Sequence, residues 1–219
     1  MRVSEKPLAL FGGTFDPVHY GHLRCAEDAR RQLNLDTVYL LPAGNPPHRS
    51  PPQATVRQRL DMLRQALMEF PELEIDEREL DRSGPSFMTD TLQELRIEFP
   101  ERPLLLLLGQ DVVNYLHHWH CWRKLFVFAH IVVLTRPHTT RRYPDELEQQ
   151  ICRREITNVR DLEGLAGGGV LTLEVAANDI SATRIKNTIR AGRSPQSMLP
   201  DSVWRYINDH NLYQRDQPA

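Results

Sequence analysis

The stretch LALFGGTFDPVHYGHL (residues 8–23) decides the fold, because an apolar run ends abruptly at two glycines and is followed by two histidines. Short apolar runs bounded by turn residues are typical of strands that are buried on both faces of a sheet. The residues after the turn have the spacing of a helix. The stretch therefore predicts a strand–turn–helix unit, with His19 and His22 close to the carboxyl end of the strand.

Four more apolar segments have the character of buried strands, and five other segments have helical patterns. The strand segments are 37–42, 104–109, 130–135 and 170–175, and the helical ones are 21–33, 56–70, 89–99, 178–192 and 200–210. Strands that alternate with helices favour a parallel sheet covered on both faces, and right-handed crossovers make it doubly wound. We therefore predict one Rossmann-like α/β domain over residues 1–219, with a core of about 7–192 and a C-terminal helical extension of about 193–215.

One segment does not fit this alternation. PAGNPPHRSPPQAT (residues 42–55) contains five prolines, which exclude a helix and a central strand. Loops of this length are often functional. The segment is therefore either a functional loop or a surface insertion.

The composition excludes several classes of protein. Among the 219 residues, 40% are hydrophobic and 26% are charged, and the net charge is −2, so no global charge attracts nucleic acid or anionic lipid. The three cysteines are far apart and form no Cys-x-x-Cys pair, which argues against disulfides and thiolate metal sites. The apolar runs are too short for a signal peptide or a membrane helix. We expect a cytoplasmic protein without nucleic-acid or membrane partners, and the sequence makes no prediction of oligomeric state.

The turn after the first strand has the features of a phosphate site. Ligands of open α/β sheets bind beyond the carboxyl ends of the strands. Gly12 and Gly13 let backbone N–H groups approach a ligand, and the start of the next helix favours anions. His19 and His22 fall on one side of the first helical turn, and Gly21 between them leaves room for a phosphate or a flat base. Two alternatives remain open at this point: half of a metal site, or a glycine turn with two surface histidines.

Two motifs resemble a known superfamily. GGTFDPVHYGH (residues 12–22) resembles the first signature of the nucleotidyltransferases that share [H/T]-x-G-H with class I aminoacyl-tRNA synthetases. ISATRIK (residues 180–186) resembles their second signature, I-S-x-T-x-x-R. Within this superfamily the chain is most similar to the bacterial nicotinate mononucleotide adenylyltransferases, which carry segments like those at 45–49, 82–87, 107–111, 118–119 and 135–137.

The resemblance implies a reaction in NAD biosynthesis. The adenylyl group of ATP would pass to nicotinate mononucleotide, giving nicotinate adenine dinucleotide and pyrophosphate. The implied partners are these two small molecules, and the implied cofactor is Mg²⁺ held mainly by the ATP phosphates. Two other functions stay open: an adenylyltransferase that prefers nicotinamide mononucleotide, and a non-catalytic protein that binds adenine nucleotides. The net charge disfavours an RNA-binding fragment of the synthetase type.

The resemblance also assigns residues to three roles, none of them metal ligation. The implied catalytic residues are His19, His22 and Lys186. The implied ATP-binding residues are Gly12, Gly13, Thr14, Gly109, Asp111, Ile180, Ser181, Thr183 and Arg136. The implied mononucleotide-binding residues are His48, Ser86, Phe87, Met88 and Trp119, with Trp119 stacked on the nicotinate ring and the loop at Ser86–Met88 donating to its carboxylate.

Two positions depart from the family pattern, and two assignments have simpler alternatives. Lys186 stands where the family has arginine, and we predict that it still meets the polyphosphate, from the helix face that it shares with Thr183. Met88 stands where the family often has threonine, which removes a hydroxyl but leaves the backbone donors. Asp111 has the alternative of a helix cap, and Arg136 that of a solvated loop end.

Overall fold

The strands form a single parallel sheet. The computed structural model describes residues 6–45, 51–82, 84–137, 139–162, 164–176 and 179–214. Within these residues the sheet has seven strands in the order β3-β2-β1-β4-β5-β7-β6, and every neighbouring pair is parallel. They are β1 (Leu8–Gly13), β2 (Val38–Pro42), β3 (Leu73–Ile75), β4 (Leu104–Gly109), β5 (His130–Thr135), β6 (Glu155–Ile156) and β7 (Val170–Glu174). The five predicted strands and the doubly wound parallel sheet are confirmed, whereas β3 and β6 were not predicted.

Helices connect the strands on both faces of the sheet. They are α1 (Tyr20–Gln32), α2 (Val56–Ala66), α3 (Met88–Glu98), α4 (Gln110–Val113), α5 (Leu125–Phe128), α6 (Asp145–Cys152), α7 (Ala182–Arg190) and α8 (Asp201–Asp209). Helix α2 begins where Thr55 and Gln58 form a capping box, and α7 begins where the Ser181 hydroxyl accepts a hydrogen bond from the Arg184 N–H at 3.2 Å. None of these helices of the described chain is long and apolar enough to cross a membrane.

The apolar runs are continuous because the central strands are covered on both sides. In β1, Ala9 and Phe11 join one buried cluster and Leu8 and Leu10 join another on the opposite face. The leucines of β4 alternate between the same two clusters. A run of five leucines is therefore what a strand in the middle of such a sheet requires.

The C-terminal helix packs on the domain core. The Tyr206 hydroxyl of α8 donates to Asp61 of α2 at 3.1 Å, and the Ser202 hydroxyl donates to the Gln65 carbonyl at 3.1 Å. The predicted limits of the core and of the C-terminal extension stay a prediction.

The proline-rich segment begins one residue later than predicted. Pro42 is the last residue of β2 and pairs with Gly13 of β1, at the end of the strand, where the missing N–H costs least. Residues 51–55 are neither helix nor strand, as predicted. His48 lies outside the described residues.

The strand order reverses between β1 and β4. From this point the chain crosses to β2 in one direction and to β5 in the other, which opens a crevice at the carboxyl ends of β1 and β4. The two motifs at residues 12–22 and 180–186 lie at this edge of the sheet.

Candidate active site

The turn between β1 and α1 is tightly built, and we call residues 12–19 the β1–α1 turn. Phe15 adopts a left-handed backbone conformation with φ of 51° and is almost fully buried. Its ring lies under Gly13, where an added Cβ would come within 2.9 Å of the ring atoms. Glycine at this position therefore lets the backbone pass over Phe15 and present its N–H groups to the crevice.

His19 and His22 form a stacked pair at the start of α1. Their ring centroids are 3.7 Å apart with 21° between the planes, and His22 meets the edge of Phe15 at 5.1 Å. His19 is 5% exposed, and burial, helped by the charge of Arg136, lowers its pKa to about 3. Its imidazole is therefore neutral at pH 7. Its buried Nδ1 has no hydrogen-bond partner among the described residues, which leaves an atom for a ligand to satisfy.

Gly21 is the point where the two motifs touch. A Cβ at Gly21 would lie 2.8 Å from Nδ1 of His19 and 3.0 Å from the carbonyl oxygen of Ile180. The space beside Gly21, which we predicted to admit a ligand, is therefore taken by the His19 ring and by the Ile180 backbone. The absence of a side chain at Gly21 therefore lets the start of α1 pack closely against the segment that precedes α7.

The carboxyl ends of β4 and β5 contribute the predicted polar residues. Gly109 precedes α4, and a Cβ there would lie 2.6 Å from the exposed Asp111 carboxylate. Arg136 directly follows β5 and is half-buried, and its charge lowers the pKa values of both His19 and Cys25. Burial outweighs that charge at Cys25 and raises the pKa of its thiol to about 11. The charge of Arg136 is therefore close to α1, which carries Cys25, and to His19 before it.

A mostly apolar pocket lies at the carboxyl ends of β1, β2 and β4. It brings together seven of the predicted residues: Gly12, Gly13, Thr14, Ser86, Phe87, Met88 and Trp119. Helix α3 begins at Met88, so its N-terminus lies at this pocket. The N–H of Asp90 already donates to the Phe87 carbonyl at 3.0 Å, which leaves the N–H groups of Met88 and Thr89 as the donors that a helix start offers. The pocket therefore combines an aromatic wall with a helix N-terminus that favours a carboxylate.

Ser86 has a structural task that the sequence did not indicate. Its N–H donates to the Asn45 carbonyl at 3.1 Å, and its hydroxyl donates to the Glu79 carbonyl at 3.4 Å. The N–H of Ser86 is thus already used, and the backbone donors of this loop begin after it.

Glu79 and His120 line the same pocket and were missed by the sequence analysis. Glu79 is buried, its carboxylate accepts a hydrogen bond from the Thr91 hydroxyl at 2.8 Å, and burial raises its pKa above the ordinary value. His120 packs its ring on Phe87 at 4.4 Å. Glu79 belongs to the charged run DEREL (76–80), which is typical of a solvated surface, and no feature of that run marks it as buried.

Comparisons with known proteins agree with this arrangement. The cytidylyltransferase-like family matches residues 10–188. A Methylococcus capsulatus protein named "Probable nicotinate-nucleotide adenylyltransferase" is 44% identical over 207 residues, covering 94% of this chain and 99% of that one. An Aeromonas hydrophila protein of the same name is 43% identical and covers 95% of this chain and 98% of its own. This chain belongs to the nicotinate-nucleotide adenylyltransferases of the cytidylyltransferase-like family.

A solved structure shares the fold of this family member. The nicotinic acid mononucleotide adenylyltransferase of Plasmodium falciparum complexed with NaAD superposes with a TM-score of 0.73 and 14% identity, covering 95% of this chain and 97% of that one. At this identity the likeness shows the fold alone. It agrees with the doubly wound sheet described above.

The second motif is arranged differently from our prediction. The Lys186 ammonium donates to the carboxylate of Asp16 and is mostly buried, whereas Ser181 and Thr183 line a separate polar groove together with Arg184. Lys186 and Thr183 therefore do not share one surface. Lys186 points inward to the β1–α1 turn, and Thr183 is exposed.

The metal alternative for the histidine pair finds no support in the described residues. Among them, no three His, Cys, Asp or Glu side chains converge on a point where a metal ion could sit. The rings of His19 and His22 are stacked with 21° between their planes, and the in-plane lone pairs of two nearly parallel rings do not converge readily on one metal ion. The pair is better suited to hydrogen bonding with a ligand.

Proposed function

We propose that this protein transfers the adenylyl group of ATP to nicotinate mononucleotide, forming nicotinate adenine dinucleotide and pyrophosphate. The observation that carries this proposal is the pocket in which Trp119 and the N-terminus of α3 face the β1–α1 turn. It joins a place for an aromatic acid to a place for phosphate. The names of the relatives and the NaAD in the Plasmodium falciparum structure support the same reaction.

The chemistry needs positioning more than proton transfer. An oxygen of the mononucleotide phosphate forms a bond to the α-phosphorus of ATP, and the bond from that phosphorus to the oxygen bridging to the β-phosphate breaks. Pyrophosphate leaves with the electron pair of that bond. Since the attacking oxygen is already anionic at neutral pH, no general base is required. The site must align the reactants and offset their negative charge.

The chain supplies donors and cations for this task. Backbone N–H groups of the β1–α1 turn, the neutral His19 and its stacked partner His22 would donate hydrogen bonds to the ATP phosphates. Arg136, next to His19, would add a positive charge at the same phosphates. Mg²⁺ would enter bound to phosphate oxygens of ATP and offset the charge between attacking and leaving groups.

The nicotinate group of the mononucleotide would be recognised at the other end of the pocket. Trp119 would stack on the nicotinate ring, and the backbone N–H groups at the start of α3 would bind its carboxylate. Since Met88 has no hydroxyl, this recognition would rest on backbone donors. Asp111 and Gly109 would meet the ribose of ATP at the end of β4.

The test is a pyrophosphate-release assay with ATP, Mg²⁺ and either nicotinate or nicotinamide mononucleotide at equal concentrations. We expect the acid to react faster and the product to have the mass of nicotinate adenine dinucleotide. If the amide reacts faster, the preferred substrate is nicotinamide mononucleotide and the proposed acid substrate is wrong. If the protein binds ATP but releases no pyrophosphate with either mononucleotide, it is a non-catalytic nucleotide-binding protein.

A further inference from the structure

Asp16 in the β1–α1 turn is the centre of a buried polar cluster. One carboxylate oxygen accepts hydrogen bonds from the Tyr213 hydroxyl at 2.7 Å and the Ala54 N–H at 3.1 Å. The other accepts from the Gln53 N–H at 3.0 Å and from the Lys186 ammonium. Four donors from three distant segments therefore fix the plane of a carboxylate that is 7% exposed.

The charges in this cluster are well defined. Burial by itself would raise the pKa of Asp16, but the hydrogen bonds from Lys186, Tyr213 and the two backbone N–H groups lower it below the ordinary value. Burial and the Asp16 charge raise the pKa of the Tyr213 hydroxyl, which stays protonated and donates. The cluster is thus an ionised carboxylate that holds a cation and a phenol.

Lys186 is held by this cluster at two points. Its ammonium donates to Asp16 and lies 5.0 Å from the centre of the Tyr213 ring. A lysine side chain has several rotatable bonds and loses rotamer freedom when it is fixed, and its compact ammonium lacks the rigid fork of an arginine. An ammonium has three N–H donors, so the bond to Asp16 leaves capacity for a ligand.

The cluster lies directly against the β1–α1 turn. Arg59, whose guanidinium interacts with the Asp16 charge, donates to the Thr14 carbonyl at 2.8 Å and to the Gly44 carbonyl at 3.4 Å. The Asp16 carboxylate therefore interacts with the charges of both Arg59 and Lys186, close to the backbone that would receive the phosphates.

We propose that Tyr213 and Asp16 are positioning residues that hold the Lys186 ammonium beside the β1–α1 turn for the reaction. The segment after α8 thereby completes the active site, although Tyr213 itself touches no substrate. The inference rests on the proposed adenylyl transfer. A purely structural Tyr213 would instead tie the end of the chain to the core without acting through Lys186.

A double-mutant cycle separates these two roles. Tyr213→Phe keeps the ring against Lys186 and removes the hydrogen bond to Asp16, and Lys186→Met removes the ammonium. We expect Tyr213→Phe to lower kcat about ten-fold with little change in the KM of the mononucleotide, as for a lost hydrogen bond to a charged group. In the Lys186→Met background the same change should cost less than about two-fold, because the residue through which Tyr213 acts is gone.

The matched control is Tyr206→Phe, which removes a hydroxyl bound to Asp61 and far from Lys186 in the hydrogen-bond network. It should leave kcat unchanged in both backgrounds. Thermal melting of each variant is measured alongside, and Lys186→Gln, whose amide can still donate to Asp16, replaces Lys186→Met if the latter does not fold. Full activity of Tyr213→Phe, or an equal loss in both backgrounds, would overturn the inference.

The outcome for the proposed function is read separately. If the unsubstituted protein releases no pyrophosphate, the proposed adenylyl transfer is wrong. The double-mutant cycle is then repeated with the same variants, and the Kd of ATP is measured by calorimetry in place of kcat. An ATP affinity that Tyr213→Phe lowers only when Lys186 is present would still support the inference, and an equal effect in both backgrounds would reject it.

Discussion

The neutral, buried His19 makes a quantitative prediction about stability and pH. Its pKa is about 3 in the folded protein and about 6.5 when the chain is unfolded, so below pH 6.5 the unfolded state binds the extra proton. The resulting stability is present above pH 6.5 and is lost as the pH falls toward 3. With these two values, His19 alone removes about 2 kcal/mol from the free energy of unfolding between pH 7 and pH 5.

The perturbation that isolates this effect is His19→Asn, which cannot titrate in this range and is a favourable residue before a helix. Urea unfolding at pH 7, 6 and 5 gives the free energy of unfolding of both proteins. Asp16 and the other carboxylates titrate in both, so they cancel in the difference. We expect the unfolding free energy of the unsubstituted protein, relative to the variant, to fall by about 2 kcal/mol from pH 7 to pH 5. A difference that stays constant within about 0.5 kcal/mol would refute the neutral, desolvated imidazole.

Substitutions at four residues test the remaining parts of the site. His22→Ala should lower kcat by about a hundred- to a thousand-fold, as does loss of one preorganised donor, and a variant with more than half the activity would contradict this role. Trp119→Ala should raise the KM of the mononucleotide by the equivalent of about 1–3 kcal/mol while that of ATP holds, whereas an equal rise for ATP would move Trp119 to the adenosine side. Gly21→Ala should lower kcat/KM for ATP about ten-fold or more and lower the Tm by several degrees, because its Cβ would press on the His19 ring, and an unchanged Tm would show that the contact yields easily. Lys186→Ala should lower kcat/KM about ten-fold or more and Lys186→Arg should keep most of it, and parental activity of the alanine variant would remove Lys186 from the reaction.

The fold was predictable from the sequence where burial is complete. The strands β1, β2, β4 and β5 are apolar almost throughout, because they lie inside the sheet with both faces covered. In β7, Thr172 and Glu174 are exposed, and its three apolar residues Val170, Leu171 and Leu173 are buried. The strands β3 and β6 lie at the two edges and have only three and two residues, with glutamate in each. Such short, half-polar edge segments have no periodicity that distinguishes them from a turn.

The site was predictable as a set of residues but not as a set of contacts. The glycine turn and the histidine pair followed from a motif that is local in the chain, and the residues of the Trp119 pocket followed from the resemblance to a family. The Asp16 cluster did not, because its members Lys186 and Tyr213 are 170 and 197 residues away along the sequence. Spacing on one helix likewise placed Lys186 with Thr183, whereas the Asp16 charge draws the ammonium inward.

The reversal of strand order between β1 and β4 gives the two halves of the site different neighbours. The surface that we propose for the ring and its carboxylate is built on β2, α3 and the segment around Trp119. The donors that we propose for the polyphosphate are built on α1, the loop after β5 and α7. The β1–α1 turn and the end of β4 adjoin both. Substitutions at Glu79, 86–88 and 119–120 would therefore alter the proposed acceptor surface without touching α1, the loop after β5 or α7.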